Sequence, residues 1–216
     1  MEALLDLYQA PPDPARPLVC FDEGGKELQG FVRPPQPMRP GCPARDDPDY
    51  QRHGSASLLL SCAPHLGWRH VRVSDQRTGV DWAWAIRELV DEHFADAERI
   101  VLVLDNLNTH RLSSLYGAFP APEARRIARK LELHFTPRHD SWLNIAELEL
   151  HALSQQCLRR RIPDPATLER EVAAWVAARN AERVAVHWQF SVDDARRALP
   201  KVYPIPTCDI DALTKH

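Results

Sequence analysis

Two acids in this sequence stand where chemistry collects. Asp105 follows an unbroken apolar run, Ile100–Leu104, and is followed by Asn106, Asn108, Thr109 and His110. A short continuous apolar run reads as a strand buried on both faces, in the middle of a sheet. The carboxyl end of a central strand is where ligands bind in α/β proteins, and an unpaired carboxylate there is costly. Asp105 is therefore a candidate metal ligand. The competing reading is a turn cap, because Asp-Asn is ordinary turn chemistry. Pro17–Asp22, PLVCFD, repeats the pattern in miniature, with Glu23 and then Gly24-Gly25 to break the strand. A plain turn is the alternative for Asp22 and Glu23.

Composition narrows the field. The chain has 216 residues, 44% hydrophobic and 26% charged, which suits one sizeable globular domain. No window approaches a membrane span, and the acidic start MEALLDLYQAPPDP is no signal peptide. The five cysteines are scattered and never spaced as CxxC, which points to a reducing cytosol and away from structural zinc. None of the ten histidines stands in an HxxxH pair. A net charge of -3 gives no bulk support for nucleic-acid binding.

The elements that must position the acids follow in order. Residues 1–16 hold a short amphipathic piece and three prolines, and read as an N-terminal tail or linker. Residues 30–50 carry six prolines and two glycines, which leaves a long loop in which Arg33, Arg39 and Arg45 are read as solvated. Ser55–Cys62 and Trp68–Ser74 form an antiparallel hairpin. A helix capped by Asp81 follows, with Trp82, Ala85, Ile86, Leu89, Val90 and Phe94 on one stripe. After Asp105 come a short helical piece near Leu112–Gly117, a basic helix over Pro122–Leu131 and a strand over Leu131–Thr136. A helix over Trp142–Arg159, capped by Asp140 or Ser141, and another over Ala166–Glu182 complete the core. Asp193–Leu199 closes the fold before a polar tail. Strand, hairpin, helix, strand, helix, strand, helix, helix is the order of a ribonuclease-H-like fold. It is an α/β arrangement, a mixed five-stranded sheet with helices on both faces.

In that topology the first strand lies beside the fourth. Asp22 and Asp105 then stand about 4.8 Å apart, the strand spacing. Carboxylates that close repel unless a cation sits between them, and oxygen ligands favour Mg²⁺ or Mn²⁺. A third carboxylate should come from the 142–159 helix, which offers Glu147 and Glu149 on different faces. Glu147 shares the apolar side with Leu143, Asn144 and Leu150, so Glu147 is the choice. The alternative is one more solvated helix acid.

LVLDNLNTH, then FTPRHDSWLNIAELEL, then an arginine-rich turn and a tryptophan-bearing helix resemble the DDE catalytic domain of bacterial insertion-sequence transposases in the mariner superfamily. The resemblance runs from about Val19 to Tyr203, and SWLNIAE is its most specific part. It implies a catalytic and metal-binding triad of Asp22, Asp105 and Glu147. Asn106, His110, His139, Ser141, Trp142 and Asn144 match motif positions as surrounding or DNA-contact residues. Asp140 departs from the family's usual glycine, and Gly24-Gly25 stands where bulkier or basic residues are expected. The interval from Asp105 to Glu147 is longer than in the eukaryotic branch, and an inserted helix absorbs it.

The resemblance further implies two Mg²⁺ or Mn²⁺ ions about 3.5–4 Å apart, serving DNA cleavage and strand transfer at the ends of an insertion sequence. The implied partners are double-stranded DNA (transposon ends and a TA target), a second copy in a homodimeric synapse, and a separately encoded helix-turn-helix half. No membrane is implied; the setting is the bacterial cytoplasm and nucleoid. Residues 17–204 are the expected catalytic domain and 205–216 a C-terminal tail, with the helix-turn-helix region absent. Arg125, Arg126, Arg129, Lys130, Arg138 and Arg159–Arg161 are candidate phosphate contacts, a solvated basic face being the alternative. Two other readings remain: another ribonuclease-H-like nuclease, such as a junction resolvase or proofreading exonuclease, and an inactive relic that binds DNA or a partner without cutting.

Overall fold

The computed structural model describes residues 1–45, 47–137 and 141–203. In chain order its elements are α1 (Glu2–Gln9), β1 (Leu18–Phe31), β2 (Tyr50–Ala63), β3 (Trp68–Ser74), α2 (Gly79–Glu88), β4 (Ile100–Leu104), α3 (Leu112–Ala118), α4 (Ala121–Lys130), β5 (Leu131–Phe135), α5 (Ile145–Gln156), α6 (Pro165–Ala181) and α7 (Val192–Ala198).

Residues 12–186 form one unit. Its five-stranded sheet has the order β3-β2-β1-β4-β5, with β1, β2 and β3 antiparallel and β4 and β5 parallel to β1 and to each other. The mixed sheet matches the ribonuclease-H-like expectation. Alternation along the strands feeds two cores. On one face Val19, Phe21, Leu102 and Leu104 meet Trp82, Ile86, Leu115 and Ile127 of α2, α3 and α4. On the other face Leu28, Ala56 and Leu58 meet Leu153 of α5 and Leu168, Val172 and Trp175 of α6. Among the described residues no helix is long and apolar enough to cross a membrane.

Residues 1–11 and the stretch from His187 form a second unit. Residues 2–9, read from sequence as part of a tail or linker, fold as α1 with Leu4, Leu5 and Tyr8 buried. Tyr8 packs on Trp188 at 5.1 Å between ring centroids, and Glu2 pairs with Arg196 of α7 at 2.8 Å.

Several boundaries differ from the sequence reading. Gly24-Gly25 does not break β1, which continues to Phe31. A Cβ on Gly24 would sit 3.1 Å from Leu150, so this glycine serves the close approach of α5 to the strand. Thr78, not Asp81, caps α2; Asp81 is the reciprocal partner of a capping box. The 142–159 helix is divided. Ser141–Leu143 is a 3₁₀ turn, Asn144 is the cap, and α5 begins at Ile145.

That division corrects the reading of the two helix acids. With α5 starting at Ile145, its buried residues are Ile145, Ala146, Glu149 and Leu153, and Glu147 is exposed. Glu149 occupies an apolar stripe because two cations come to meet it. Arg69 of β3 donates to its Oε1 at 3.3 Å, and Arg179 of α6 donates to both oxygens at 3.1 and 3.2 Å. The Arg69 and Glu149 side chains are only 1% and 4% exposed. Removing one partner from a buried ion pair leaves an uncompensated charge. Glu149→Ala is expected to lower the free energy of unfolding by about 3–5 kcal/mol, read by chemical denaturation; a loss below about 1 kcal/mol, the scale of an exposed pair, would contradict this account.

Candidate active site

The site begins with the pairing of β1 and β4, in which Cys20 lies across from Val103. The ladder ends at that pair; continued two residues, its register points Asp22 toward Asp105, whose charge acts on Asp22. Phe21 enters the α2–α4 core, whereas Gly24 lies under Leu150 of α5. Asp22 shares the parity of Gly24 and therefore faces α5.

α5 brings the third acid, and Asn144 sets where the helix starts. This residue is 1% exposed. Its Nδ2 donates to the Phe21 carbonyl at 2.9 Å, and its Oδ1 accepts from the Ala146 N–H at 3.2 Å. One buried amide thus caps the helix and ties its first turn to the residue before Asp22. Glu147 lies in that turn, its N–H donating to the Asn144 carbonyl at 3.0 Å. Its charge reaches Asp22. Glu147 joins the acids as an exposed first-turn residue, not as the buried-face residue read from sequence.

The three carboxylates oppose one another. Burial pushes the Asp22 carboxyl up to about 6, and the negative charges of Asp105 and Glu147 push the same way. The Glu23 N–H, donating to Asp22 Oδ1 at 2.8 Å, and the nearby His110 act against them.

His110 is fully buried. Its Nε2 lies 3.0 Å from Glu23 Oε1 and its Nδ1 lies 2.6 Å from Asp105 Oδ1. The second contact is a close ionic approach rather than an aligned hydrogen bond. Burial works against the charged ring, but the Asp105 and Glu23 carboxylates outweigh it and raise its pKa to about 9. Sequence reasoning gave Glu23 no function of its own, with a plain turn as the alternative. Strand alternation was the signal it passed over, since Glu23 falls on the apolar-core parity of Phe21, where an acid needs a cation.

The other motif residues are dispersed. Asn106 is exposed on the loop after β4, and Trp142 is 39% exposed. His139, Arg138 and the side chain of Ser141 lie outside the described residues. Arg125, Arg126 and Arg129 line an open surface groove of about 710 Å³ with Tyr116, Ala121 and Pro122. Arg126 is already held by Asp91 in a two-bonded pair at 2.7 and 2.8 Å. Lys130 donates to the Ala95 carbonyl, near the start of β4 and so at the opposite end of the sheet from the acids. Arg159 and Arg160 line a second groove between α5 and α6, and Arg160 pairs with Glu171. Arg161 donates to the carbonyls of Asp47, Pro48 and Asp49 and stacks over Phe31 and Tyr50, so it braces the foot of the proline-rich loop.

The donor set fits a hard divalent cation. Asp22, Asp105 and Glu147 offer carboxylate oxygens alone, and the His110 ring beside them has both nitrogens turned to carboxylates. Burial first, and then the charges of Asp105 and Glu147, raise the Asp22 carboxyl, and a cation among the three would oppose that shift. Among the described residues no three His, Cys, Asp or Glu side chains already form a closed ligand arrangement; the acids are neighbours, not a finished cage.

No curated protein matches the chain. Among solved structures it is similar to the Mos1 mariner paired-end complex with Mn, at 16% identity and a TM-score of 0.55, covering 89% of this chain and 60% of that one. It is also similar to the Mos1 strand transfer complex, at 15% identity and a TM-score of 0.55, covering 85% and 55%. The Mos1 transposase paired-end complex with left transposon end gives 15% identity, a TM-score of 0.54 and the same coverages. The chain thus spans 55–60% of the length of these relatives in fold. A family model, DDE superfamily endonuclease, matches residues 17–169, an interval that contains β1, β4 and the start of α5 with all three acids. On that match the chain belongs to the DDE superfamily endonuclease family.

Proposed function

We propose that this chain is the catalytic unit of a transposase, with residues 17–204 cutting DNA at the ends of an insertion sequence and joining the freed ends to target DNA. The observation that carries the reading is the convergence of three carboxylates from β1, β4 and α5. Burial and mutual repulsion hold one of them, Asp22, at a pKa of about 6. Support comes from the family match and from the likeness in fold to mariner complexes assembled with DNA.

Asp22, Asp105 and Glu147 would hold a pair of Mg²⁺ or Mn²⁺ ions, which supply an activated oxygen nucleophile and offset charge at the phosphate. The chain's own task is placement. The β1–β4 register and the Asn144 tether present the acids together, and His110 places positive charge behind Asp105. In the first step a water oxygen bonds to phosphorus and the bond to the 3′ oxygen breaks, leaving a 3′-hydroxyl. In the second, that hydroxyl attacks a target phosphate and displaces its 3′ oxygen. No protein nucleophile is required. Double-stranded DNA with a TA target and a homodimeric synapse complete the reading, and Arg125 and Arg129 are the candidate phosphate contacts on α4.

Purified protein is expected to nick DNA with Mn²⁺ or Mg²⁺ and to stop in EDTA. Asp105→Ala should lower the rate by about 10³-fold or more, the several kcal/mol that metal-centred charge stabilisation supplies. Nicking that persists in that variant or in EDTA would refute the assignment.

A second prediction concerns the metal-free protein. A carboxyl raised from 3.8 to about 6 binds more protons folded than unfolded, so its contribution to stability falls as pH rises through that window. In EDTA, Asp22→Asn should therefore melt higher than the parent. The difference should be small near pH 4 and full above pH 6; a difference that does not change with pH would contradict the cause given for the shift.

A further inference from the structure

We propose that Glu23 is a positioning residue of the acid site, acting on Asp105 through His110. This rests on the reading of Asp105 as a metal ligand and adds a residue to that site.

Adjacent residues of β1 face opposite sides of the sheet, so Asp22 and Glu23 cannot share one task. Asp22 turns to α5. Glu23 turns to the side of Phe21 and Trp82, and its side chain is 3% exposed. His110 lies there too, edge-on to Phe21 at 5.3 Å and 6.0 Å from Trp82. Its backbone N–H donates to the Leu107 carbonyl at 3.1 Å, which closes the loop that leaves Asp105. The ring then spans the end of the sheet, with Nε2 on Glu23 and Nδ1 on Asp105.

Ionised carboxylates only accept hydrogen bonds. The ring nitrogen that meets Glu23 therefore presents its N–H there, and this contact sets how the ring stands against Asp105. Glu23 therefore acts at a distance: it fixes the orientation of the ring that stands behind Asp105. Asp105, 32% exposed at its side chain, is the outlet of the arrangement, held from behind at Oδ1. Stability alone is a poor reason for this chain of charges, because apolar residues of similar volume usually serve a buried site as well or better. Partners of this kind behind metal-binding groups typically change metal affinity or activity by about 10–100-fold when removed.

The test uses the full chain, with Mn²⁺ as the probe. Glu23→Ala is expected to weaken Mn²⁺ binding, measured by calorimetry, by about 10–100-fold. Glu23→Gln keeps the shape and an acceptor for Nε2, so it should recover part of the loss, and it serves as the test variant should the alanine protein not fold. In metal-free protein the ¹⁵N resonances of the His110 ring should move in Glu23→Gln and in Asp105→Asn alike, a readout that does not depend on turnover. The proposal is overturned if both Glu23 variants bind Mn²⁺ within twofold of the parent while Asp105→Ala abolishes binding. It is also overturned if the ring resonances ignore Glu23→Gln. If Asp105→Ala itself leaves Mn²⁺ binding unchanged, the acid-site reading fails first, and the role given to Glu23 falls with it.

Discussion

The parallel pairing of β1 with β4 is the constraint from which the rest follows. It runs the strand end that carries Asp22 beside the strand that leads into Asp105, and the Asp105 charge acts on Asp22 where repulsion is screened less than it would be in water. The fold then holds a third acid in range and does not relieve the repulsion by spacing the group apart. A protein stores such a cost where function repays it. Two buried polar side chains secure the arrangement. Asn144 ties the start of α5 to β1, and His110 stands behind Asp105.

The contrast between Glu147 and Glu149 shows how one helix handles two acids. Glu149 is buried and fully answered by Arg69 and Arg179, and it binds α5 to β3 and α6. Glu147, two residues earlier and in the first turn, is exposed and adds its charge to Asp22. The first acid belongs to the packing of the unit and the second to the proposed acid site. The helix start separates them, and a one-residue change of cap would turn the pair about the helix axis by about 100°.

Much of this was legible in the residues. IVLVL before Asp105 and PLVCF before Asp22 announce central strands that end in acids, and the element order supplies their adjacency. What escaped was set by contacts distant in sequence. Glu149 looks like a solvated acid until Arg69 and Arg179, 80 and 30 residues away, are placed against it. Asn144 looks like one polar residue in an apolar helix until the Phe21 carbonyl, 123 residues away, explains it. Gly24-Gly25 reads as a strand break, because local propensity cannot show that Leu150 arrives over the first of them. Helix starts, acid pairing and close approaches depend on tertiary partners, whereas strand cores declare themselves locally.

The central claim is that Asp22, Asp105 and Glu147 form one cation site. The most direct measurement is anomalous diffraction from a crystal of the protein grown with Mn²⁺. The account predicts a manganese peak bounded by these three carboxylates and absent from an Asp105→Asn crystal. Manganese found only on other carboxylates, with no density between β1, β4 and the start of α5, would contradict it.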